Sequence, residues 1–226
     1  ISFMNEIARL CELTGADVDR VRAGMASDSR IGNKFLYPGC GYGGSCFPKD
    51  VSSLLNTAQS KGYSMKIIKA VEEVNNEQKR VVYEKLANAF EGNLKGKCVA
   101  LLGLSFKPET NDMREAPSVL TANLLLNAGA VVKVYDPIAM SECRSNYLGN
   151  RVEYALNIYD CVKGADAVAV VTEWKEFRLP DWKKIKELMR GVVLVDGRNI
   201  YTPLEITAAG LTYYGIGRGV LASSKR

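Results

Sequence analysis

Residues 37–50, YPGCGYGGSCFPKD, concentrate reactive and flexible residue types in one short stretch. Pro48, two residues after Cys46, suits the first turn of a helix. A thiol at the N-terminus of a helix feels the positive end of the helix dipole, which favours the nucleophilic thiolate. Lys49 adds positive potential, and the glycines leave the backbone free to approach a ligand closely. We therefore predict that Cys46 is a nucleophile.

The sequence contains no histidine. Ser-His-Asp and Cys-His catalysis are therefore excluded, as are nearly all zinc sites that use histidine, and we predict no metal site. Proton transfer must use a carboxylate, Lys, Tyr, Cys or water. Asp50 lies one helical turn beyond Cys46. It is either a carboxylate favoured in a first helical turn or a base that orients water beside the sulfur, and the spacing leaves both interpretations open.

The other cysteines are scattered and form no CxxC pair, so we interpret them as small buried residues. They are Cys11, Cys40, Cys98, Cys143 and Cys161. A chain of 226 residues can build a core without disulfides. The sequence shows neither a leader-like segment nor an apolar run of membrane-spanning length, so we expect a reduced, cytoplasmic protein without a membrane partner. The net charge of +5 is spread along the chain, which argues against a nucleic-acid partner.

The elements that must position Cys46 begin with helices, which the patterns predict throughout residues 1–92. The first helix ends near Gly15, the second follows an N-cap at Asp17, and the third covers about 48–61. A single long helix is expected over 65–90. Because the chain opens in the middle of the first helical pattern, we expect it to be a fragment whose upstream part is missing.

Beyond residue 95, short apolar runs alternate with helical patterns. Such runs are typical of strands buried on both faces, and the alternation predicts a parallel, Rossmann-like sheet. Strands are expected within 97–106, 130–137, 165–174, 191–199 and 211–217, and helices within 118–129, 157–164, 182–191 and 203–210. The predicted fold class is α/β, with a helical central domain at 1–92, a Rossmann-like domain at 93–220 and a tail at 221–226.

Open parallel sheets bind ligands at the carboxyl ends of their strands. Lys107 and Arg198 each follow a predicted strand. They are either solvated loop cations or a pair that binds a phosphorylated or nucleotide ligand. Asp136 also follows a strand, in the place of a ribose-binding carboxylate. However, the turn GLSFKPETND carries one glycine in place of GxGxxG, so we do not expect this sheet to bind NAD.

Residues 1–50 and the motifs GLSFKPETNDMRE, VYDP and DGRNIY resemble the UDP-glucose 6-dehydrogenases of the UDP-glucose/GDP-mannose dehydrogenase family. The resemblance covers almost the whole chain, and the GGSCFPKD signature is highly specific. It implies an oxidoreductase that uses NAD twice to convert UDP-glucose to UDP-glucuronate, a step of polysaccharide biosynthesis. It further implies that Cys46 captures the aldehyde as a thiohemiacetal, which is oxidised to a thioester and hydrolysed. A homodimer or larger homo-oligomer packed through the predicted long helix is also implied.

The same resemblance implies roles for individual residues. Asn5 and Asp50 would join Cys46 in catalysis, beside the water and the developing oxyanion. Arg30 would reach the substrate of a neighbouring subunit, and Arg114 would contact NAD bound by another domain. The sugar nucleotide would be held by Phe35, Leu36, Tyr37, Gly39, Gly43, Phe106, Lys107 and Arg198.

Two parts of the family pattern do not occur in this sequence. The active-site lysine of the family falls one residue before Ile1, and the glycine-rich NAD fingerprint is missing. We therefore expect the chain by itself to be inactive. Three alternatives stay open. They are a free-standing nucleotide-sugar-binding module, a dehydrogenase for another nucleotide sugar such as GDP-mannose, and a thiol-dependent acyl transferase, for which a histidine base is lacking.

Overall fold

The computed structural model describes residues 1–219, and the predicted tail at 221–226 lies outside that range. The first part of the chain is helical. Its helices are α1 (Ser2–Thr14), α2 (Val18–Ala26), α3 (Phe47–Ser60), α4 (Lys66–Gln78) and α5 (Val81–Ala89). Gly15 ends α1 in the left-handed conformation at φ 76°, which glycine adopts without strain. The Asp17 carboxylate caps α2 by accepting a hydrogen bond from the N–H of Asp19 at 2.9 Å.

The helix predicted over 65–90 is divided between α4 and α5. At the break, the N–H of Arg80 donates to the carbonyl of Glu77 at 3.0 Å, an i to i−3 bond that tightens the turn. Neither proline nor glycine marks this position, so the pattern alone predicts a continuous helix. After the break α5 packs on the sheet, where Val82 and Leu86 are fully buried.

Within the described residues, six parallel strands form one sheet in the order β3-β2-β1-β4-β5-β6. This is the strand order of a doubly wound Rossmann fold, and the α/β prediction is confirmed. The strands are β1 (Cys98–Leu102), β2 (Val131–Tyr135), β3 (Glu153–Tyr154), β4 (Ala167–Val170), β5 (Val193–Asp196) and β6 (Thr212–Tyr214).

The connections between strands are mainly helical. They carry α6 (Pro117–Asn127), α7 (Met140–Asn146), α8 (Ile158–Val162), α9 (Trp182–Leu188) and α10 (Pro203–Ala208), with 3₁₀ turns at Gly149–Arg151 and Lys175–Phe177. The strands and helices predicted beyond residue 95 are all present. The patterns predict neither α7 nor β3, because α7 buries only Cys143 and β3 is two residues long. Such elements leave too few apolar residues to form a period.

Alternate strand residues point into two hydrophobic layers. One layer packs Leu101 and Val195 against α5 and α6, and the other packs Leu102 and Leu194 against α8, α9 and α10. Burial on both faces explains why the strands are almost continuously apolar. The first layer also contains Met4 of α1, so the helical part and the sheet share one core.

No helix within residues 1–219 has the length and apolar character that crossing a membrane requires. Nor do three or more Cys, Asp or Glu side chains of this range come together in an arrangement that could hold a metal ion.

Candidate active site

Cys46 immediately precedes α3 and is exposed to solvent. Its carbonyl accepts a hydrogen bond from the N–H of Asp50 at 2.8 Å, which begins the helix. The hydroxyl of Ser45 lies 3.7 Å from the sulfur. The sulfur is therefore held at the positive end of a helix and remains open to a reactant.

The other five cysteines are less accessible to solvent than Cys46. Cys98 is partly exposed, and Cys11, Cys40, Cys143 and Cys161 are buried. Burial raises the pKa of each of these five thiols, which keeps them in the unreactive protonated form. Thiol chemistry at the surface of this protein is therefore expected at Cys46.

Residues 39–46 form the loop that ends at the candidate nucleophile, which we call the Cys46 loop, and contacts within the protein require two of its glycines. A Cβ on Gly43 would lie closer than 3.0 Å to the carbonyl of Glu115. Gly44 has φ +86°, and a Cβ there would lie 2.8 Å from the ring of Phe106. We expected these glycines to admit a ligand, but at these two positions the neighbour is the chain itself. Close backbone packing fixes the loop that leads into Cys46.

The start of the Cys46 loop is bonded to two helices. The side-chain oxygen of Asn5, on α1, accepts from the N–H of Gly39 at 2.8 Å. The amide of Gln78, on α4, donates to the carbonyl of Gly39 at 2.7 Å. Asn5 is fully buried, and its Nδ2 has no hydrogen-bond partner among the described residues. Because Nδ2 is buried and Asn5 lines neither of the clefts described below, the role of Asn5 beside an oxyanion stays a prediction.

Arg198 joins the Cys46 loop to the sheet. Its guanidinium donates to the carbonyls of Val171 at 2.7 Å, Gly41 at 3.1 Å and Phe106 at 3.4 Å. Glu173 lies 3.2 Å from Nε of Arg198. The loops after β1, β4 and β5 therefore meet at this side chain, as the carboxyl ends of neighbouring strands should.

A cleft of about 540 Å³ opens beside Arg198, and we call it the sheet-side cleft. Four predicted substrate-binding residues line it, namely Phe35, Tyr37, Gly39 and Arg198. Lys34 and Arg178, which the sequence patterns do not single out, add two cations to its wall, and Glu173 adds one carboxylate. A mostly cationic cleft with exposed aromatic rings suits a nucleoside diphosphate.

A second cleft of about 810 Å³, the helix-side cleft, lies on the other side of the Cys46 loop. Ser45, Lys49 and Arg114 are among the residues that line it. The guanidinium of Arg114 donates two hydrogen bonds to Asp112, which raise the pKa of Arg114. The carbonyl of Arg114 accepts from the N–H of Gly44 at 2.8 Å, so Arg114 is bonded to the loop two residues before Cys46.

Other predicted site residues lie outside both clefts. Arg30 is paired with Asp28 at 2.6 Å, and its side chain is 87% exposed. Asp50 is exposed and lies 3.1 Å from Lys49. Lys107 is exposed, and Leu36 packs against the core. The roles predicted for Arg30, Asp50, Lys107 and Leu36 stay predictions.

Asp136 does not offer its carboxylate to a ligand. It accepts hydrogen bonds from the N–H groups of Leu104, Ser105, Ile138 and Ala139, the hydroxyl of Ser105 and the indole of Trp174. Asp136 is 1% exposed. In a dinucleotide-binding sheet the corresponding carboxylate holds a ribose. Asp136 is therefore not placed to hold the ribose of a dinucleotide, and the expectation that this sheet does not bind NAD stays a prediction.

Comparison with known proteins places this geometry in a family. The model of the UDP-glucose/GDP-mannose dehydrogenase family, central domain, matches residues 1–77, and the model of its UDP binding domain matches residues 100–203. The UDP-glucose 6-dehydrogenase of Pseudomonas aeruginosa is 50% identical over 222 residues, which are 96% of this chain and 49% of that protein. The UDP-glucose 6-dehydrogenase TuaD of Bacillus subtilis is 46% identical over 96% of this chain and 47% of its own length.

Solved structures show the same relationship. A UDP-glucose dehydrogenase from Pyrobaculum islandicum superposes with a TM-score of 0.85 at 37% identity, covering 96% of this chain and 48% of that one. An NDP-N-acetyl-D-galactosaminuronic acid dehydrogenase from Methanosarcina mazei gives 0.84 at 30% identity, covering 96% and 47%. The chain thus spans about half the length of the relatives it matches. Through its central and UDP-binding domains, the chain belongs to the UDP-glucose/GDP-mannose dehydrogenase family.

Proposed function

We propose that this chain forms the thiol-bearing and UDP-sugar-binding part of a UDP-glucose 6-dehydrogenase, which oxidises UDP-glucose to UDP-glucuronate. The observation that carries the proposal is the exposure of Cys46 at the start of α3, on a loop that Arg198 joins to the carboxyl edge of the sheet. Cys46 itself lines neither cleft, but the ring of Phe47, the next residue, lies 6.3 Å from the ring of Phe35 in the wall of the sheet-side cleft.

In the proposed reaction Cys46 acts on the aldehyde made by the first oxidation at C6 of the sugar. The thiolate attacks the carbonyl carbon, and the oxyanion that forms is neutralised as the thiohemiacetal. Nδ2 of Asn5 is the candidate donor to that oxyanion. After the second oxidation, water attacks the thioester and releases the carboxylate, and Asp50 is the candidate group that orients this water. Covalent attachment keeps the intermediate in place between the two oxidations.

NAD would supply hydride acceptance in both oxidations. Because the first turn of the sheet has one glycine in place of GxGxxG and Asp136 is buried, we propose that NAD is held elsewhere and that Arg114 reaches toward it. The chain by itself is then expected to bind UDP-glucose without oxidising it.

The sheet-side cleft is the proposed site of the UDP-sugar. Phe35, Tyr37, Gly39 and Arg198 are among the residues that line it. The proposed set is completed by Gly43 within the Cys46 loop, by Phe106, whose ring lies against Gly44, and by Leu36 and Lys107. UDP-glucose is favoured over GDP-mannose because relatives at 43–50% identity are named UDP-glucose 6-dehydrogenases.

Selective alkylation tests the proposed site in this chain. We expect iodoacetamide to modify Cys46 first, and UDP-glucose at about ten times its Kd to slow that reaction roughly tenfold, as one-site binding predicts. Mass spectrometry of tryptic peptides reports the rate at each cysteine. Cys98, which is partly exposed, is the internal control and should react slowly with or without ligand. Equal, slow reaction at all six cysteines, or protection by GDP-mannose but not by UDP-glucose, would contradict the proposal.

Turnover tests the chemistry in the full-length gene product. Cys46→Ala should lower kcat for UDP-glucuronate formation by at least about a thousandfold, because the covalent route is lost. The Kd for UDP-glucose should change by less than about threefold, because the thiol makes no part of the cationic cleft. Unchanged turnover would show that Cys46 is structural and would favour the alternative of a binding module.

A further inference from the structure

Asn75 of α4 binds the middle of the Cys46 loop with both ends of its carboxamide. Its Oδ1 accepts from the N–H of Tyr42 at 2.9 Å, and its Nδ2 donates to the carbonyl of Tyr42 at 3.1 Å. Asn75 is 3% exposed. A carboxamide carries a donor and an acceptor side by side, so it can pair with both the N–H and the C=O of one residue.

Gly41 makes this approach possible. A Cβ on Gly41 would lie 3.1 Å from Oδ1 of Asn75, and the residue has φ +92°. The glycine immediately before Tyr42 therefore clears the path of the carboxamide to the loop backbone. The two residues form one arrangement, although 33 positions separate Asn75 from Tyr42.

Gln78 lies one helical turn after Asn75, on the same face of α4. Its Nε2 donates to the carbonyl of Gly39 at 2.7 Å, and the residue is fully buried. Asn75 and Gln78 thus hold the loop at two points, Tyr42 and Gly39. Neither residue is among those that the sequence analysis assigns to the site.

The loop between these points lies between the two clefts. Gly39 lines the sheet-side cleft, and Tyr42 lines both clefts. Cys46 follows Tyr42 by four residues, and Gly44 between them is bonded to the carbonyl of Arg114 at 2.8 Å. A shift of Tyr42 would therefore move the sulfur relative to a sugar bound beside Arg198.

We propose that Asn75 and Gln78 are positioning residues that hold the Cys46 loop so that the sulfur faces the C6 end of a bound UDP-sugar. This inference rests on the proposed function and adds to it two residues whose carboxamides are bonded to the backbone of the Cys46 loop. Displacement of a reacting atom by about 1 Å can cost about a hundredfold in rate, so the effect should appear in the chemical step.

Asn75→Asp tests the proposal with a side chain of the same shape. The variant keeps the acceptor for the N–H of Tyr42 but places an oxygen against the carbonyl that Nδ2 now serves. We expect the variant to fold and to bind UDP-glucose. At about ten times its own Kd, we expect protection of Cys46 from iodoacetamide to fall from roughly tenfold to below about threefold. In the full-length gene product, kcat should fall about 10- to 100-fold and KM should change by less than about threefold.

Because protection is measured at a fixed multiple of each variant's own Kd, lost affinity does not alter it. The matched control is Asn56→Asp, an identical change at an exposed position of α3, and it should behave as the unchanged protein. Equal protection and equal kcat in Asn75→Asp would overturn the inference while leaving the proposed function intact. Lack of protection in the unchanged protein would overturn the proposed function and this inference with it.

A second variant covers the case in which Asn75→Asp fails to fold. Gln78→Glu removes the donor to Gly39 and retains the shape of the side chain, and Gln59→Glu on the exposed side of α3 is its control. We expect the same loss of protection at about ten times the Kd. Protection equal to that of Gln59→Glu would overturn the inference.

Discussion

Single atoms decide how the Cys46 loop can be arranged. Gly43 has a negative φ, so its backbone would tolerate alanine, but the space for a Cβ is filled by the carbonyl of Glu115. Gly24 in α2 also avoids positive φ, and nothing lies within 4 Å of its added Cβ. Because neither glycine has a positive φ, a difference in stability between alanine variants at the two positions would not come from a left-handed backbone. It would report the crowding around the new Cβ at position 43.

Gly43→Ala should lower the free energy of unfolding by about 1–3 kcal/mol, because the new methyl group must displace backbone. Gly24→Ala should raise it by up to about 1 kcal/mol, because alanine is the better helix former. Urea denaturation of both variants measures the difference. Equal stability of Gly43→Ala and the unchanged protein would show that the loop yields easily.

The sequence predicts part of this residue-scale arrangement. Cys46 stands out because a thiol precedes a proline-started helix and histidine is missing, and its exposure agrees with that prediction. Asn75 and Gln78 do not stand out, because polar residues within a helical pattern resemble a solvated face. Their partners are 33 and 39 residues away, and no local pattern reports such contacts.

At the scale of elements, one carboxylate joins the beginnings of two strands. Asp166 lies just before β4, accepts from the N–H of Cys98 at 2.8 Å, and is paired with Arg190. Hydrogen bonding from Arg190 holds the pKa of Asp166 below its usual value. Its contribution to stability is therefore present above the unfolded-state pKa, about 3.9, and is lost as pH falls through the lower folded value.

Arg190→Gln should reduce the urea midpoint at pH 7 and differ progressively less from the unchanged protein as the pH falls below about 4. Arg20→Gln, at an exposed position of α2, is the matched control and should change the midpoint little at any pH. A deficit of the same size at pH 7 and pH 3 would mean that Arg190 stabilises by packing and not through the charge of Asp166.

Elements with a strong pattern are predicted well, and those without one are not. The buried strands and the helices between them follow from apolar periodicity. The break between α4 and α5 at Lys79 does not follow from periodicity, because it depends on contacts with residues that are distant in the sequence. Lys79 is 7% exposed, and its ammonium lies 2.7 Å from Glu115, beside the carbonyl that limits Gly43. Tertiary contacts of this kind override local helix propensity.

At the scale of the whole molecule, the two ends of the described chain meet. The N–H of Gly217 donates to the carboxylate of Glu12 at 2.7 Å, and the N–H of Val18 donates to the carbonyl of Gly217 at 3.0 Å. With α5 packed on the sheet, the helical part is attached to the sheet at both of its ends. The proposed division at residues 92 and 93 is therefore a division of sequence within one shared core.

Self-association is expected through the helical part. Val81, Val82 and Leu86 of the predicted long helix are buried within the chain, but Ile67 of α4 is 79% exposed. α1, which packs on α4, exposes further apolar residues, Phe3, Leu10 and Leu13. We expect light scattering to report twice the 24.8 kDa of one chain.

Ile67→Lys should shift that assembly toward the monomer, because a charge would be buried at the contact. Leu156→Lys is the control, since Leu156 is 86% exposed in the connection between β3 and α8. A monomer at all concentrations in the unchanged protein, or equal effects of both substitutions, would count against association through the helices.

The hydrogen bonds that hold the Cys46 loop limit how its sequence can be reused in protein engineering. Its backbone conformation is imposed by Asn5, Gln78, Arg114 and Gly197, which come from four separate parts of the chain. Transplanting the fourteen letters YPGCGYGGSCFPKD onto an unrelated scaffold would carry the thiol across but leave behind the groups that shape it. A functional graft would also need the residues that hydrogen-bond to the loop. The smallest part of the protein that contains them all is the helical part together with the carboxyl edge of the sheet.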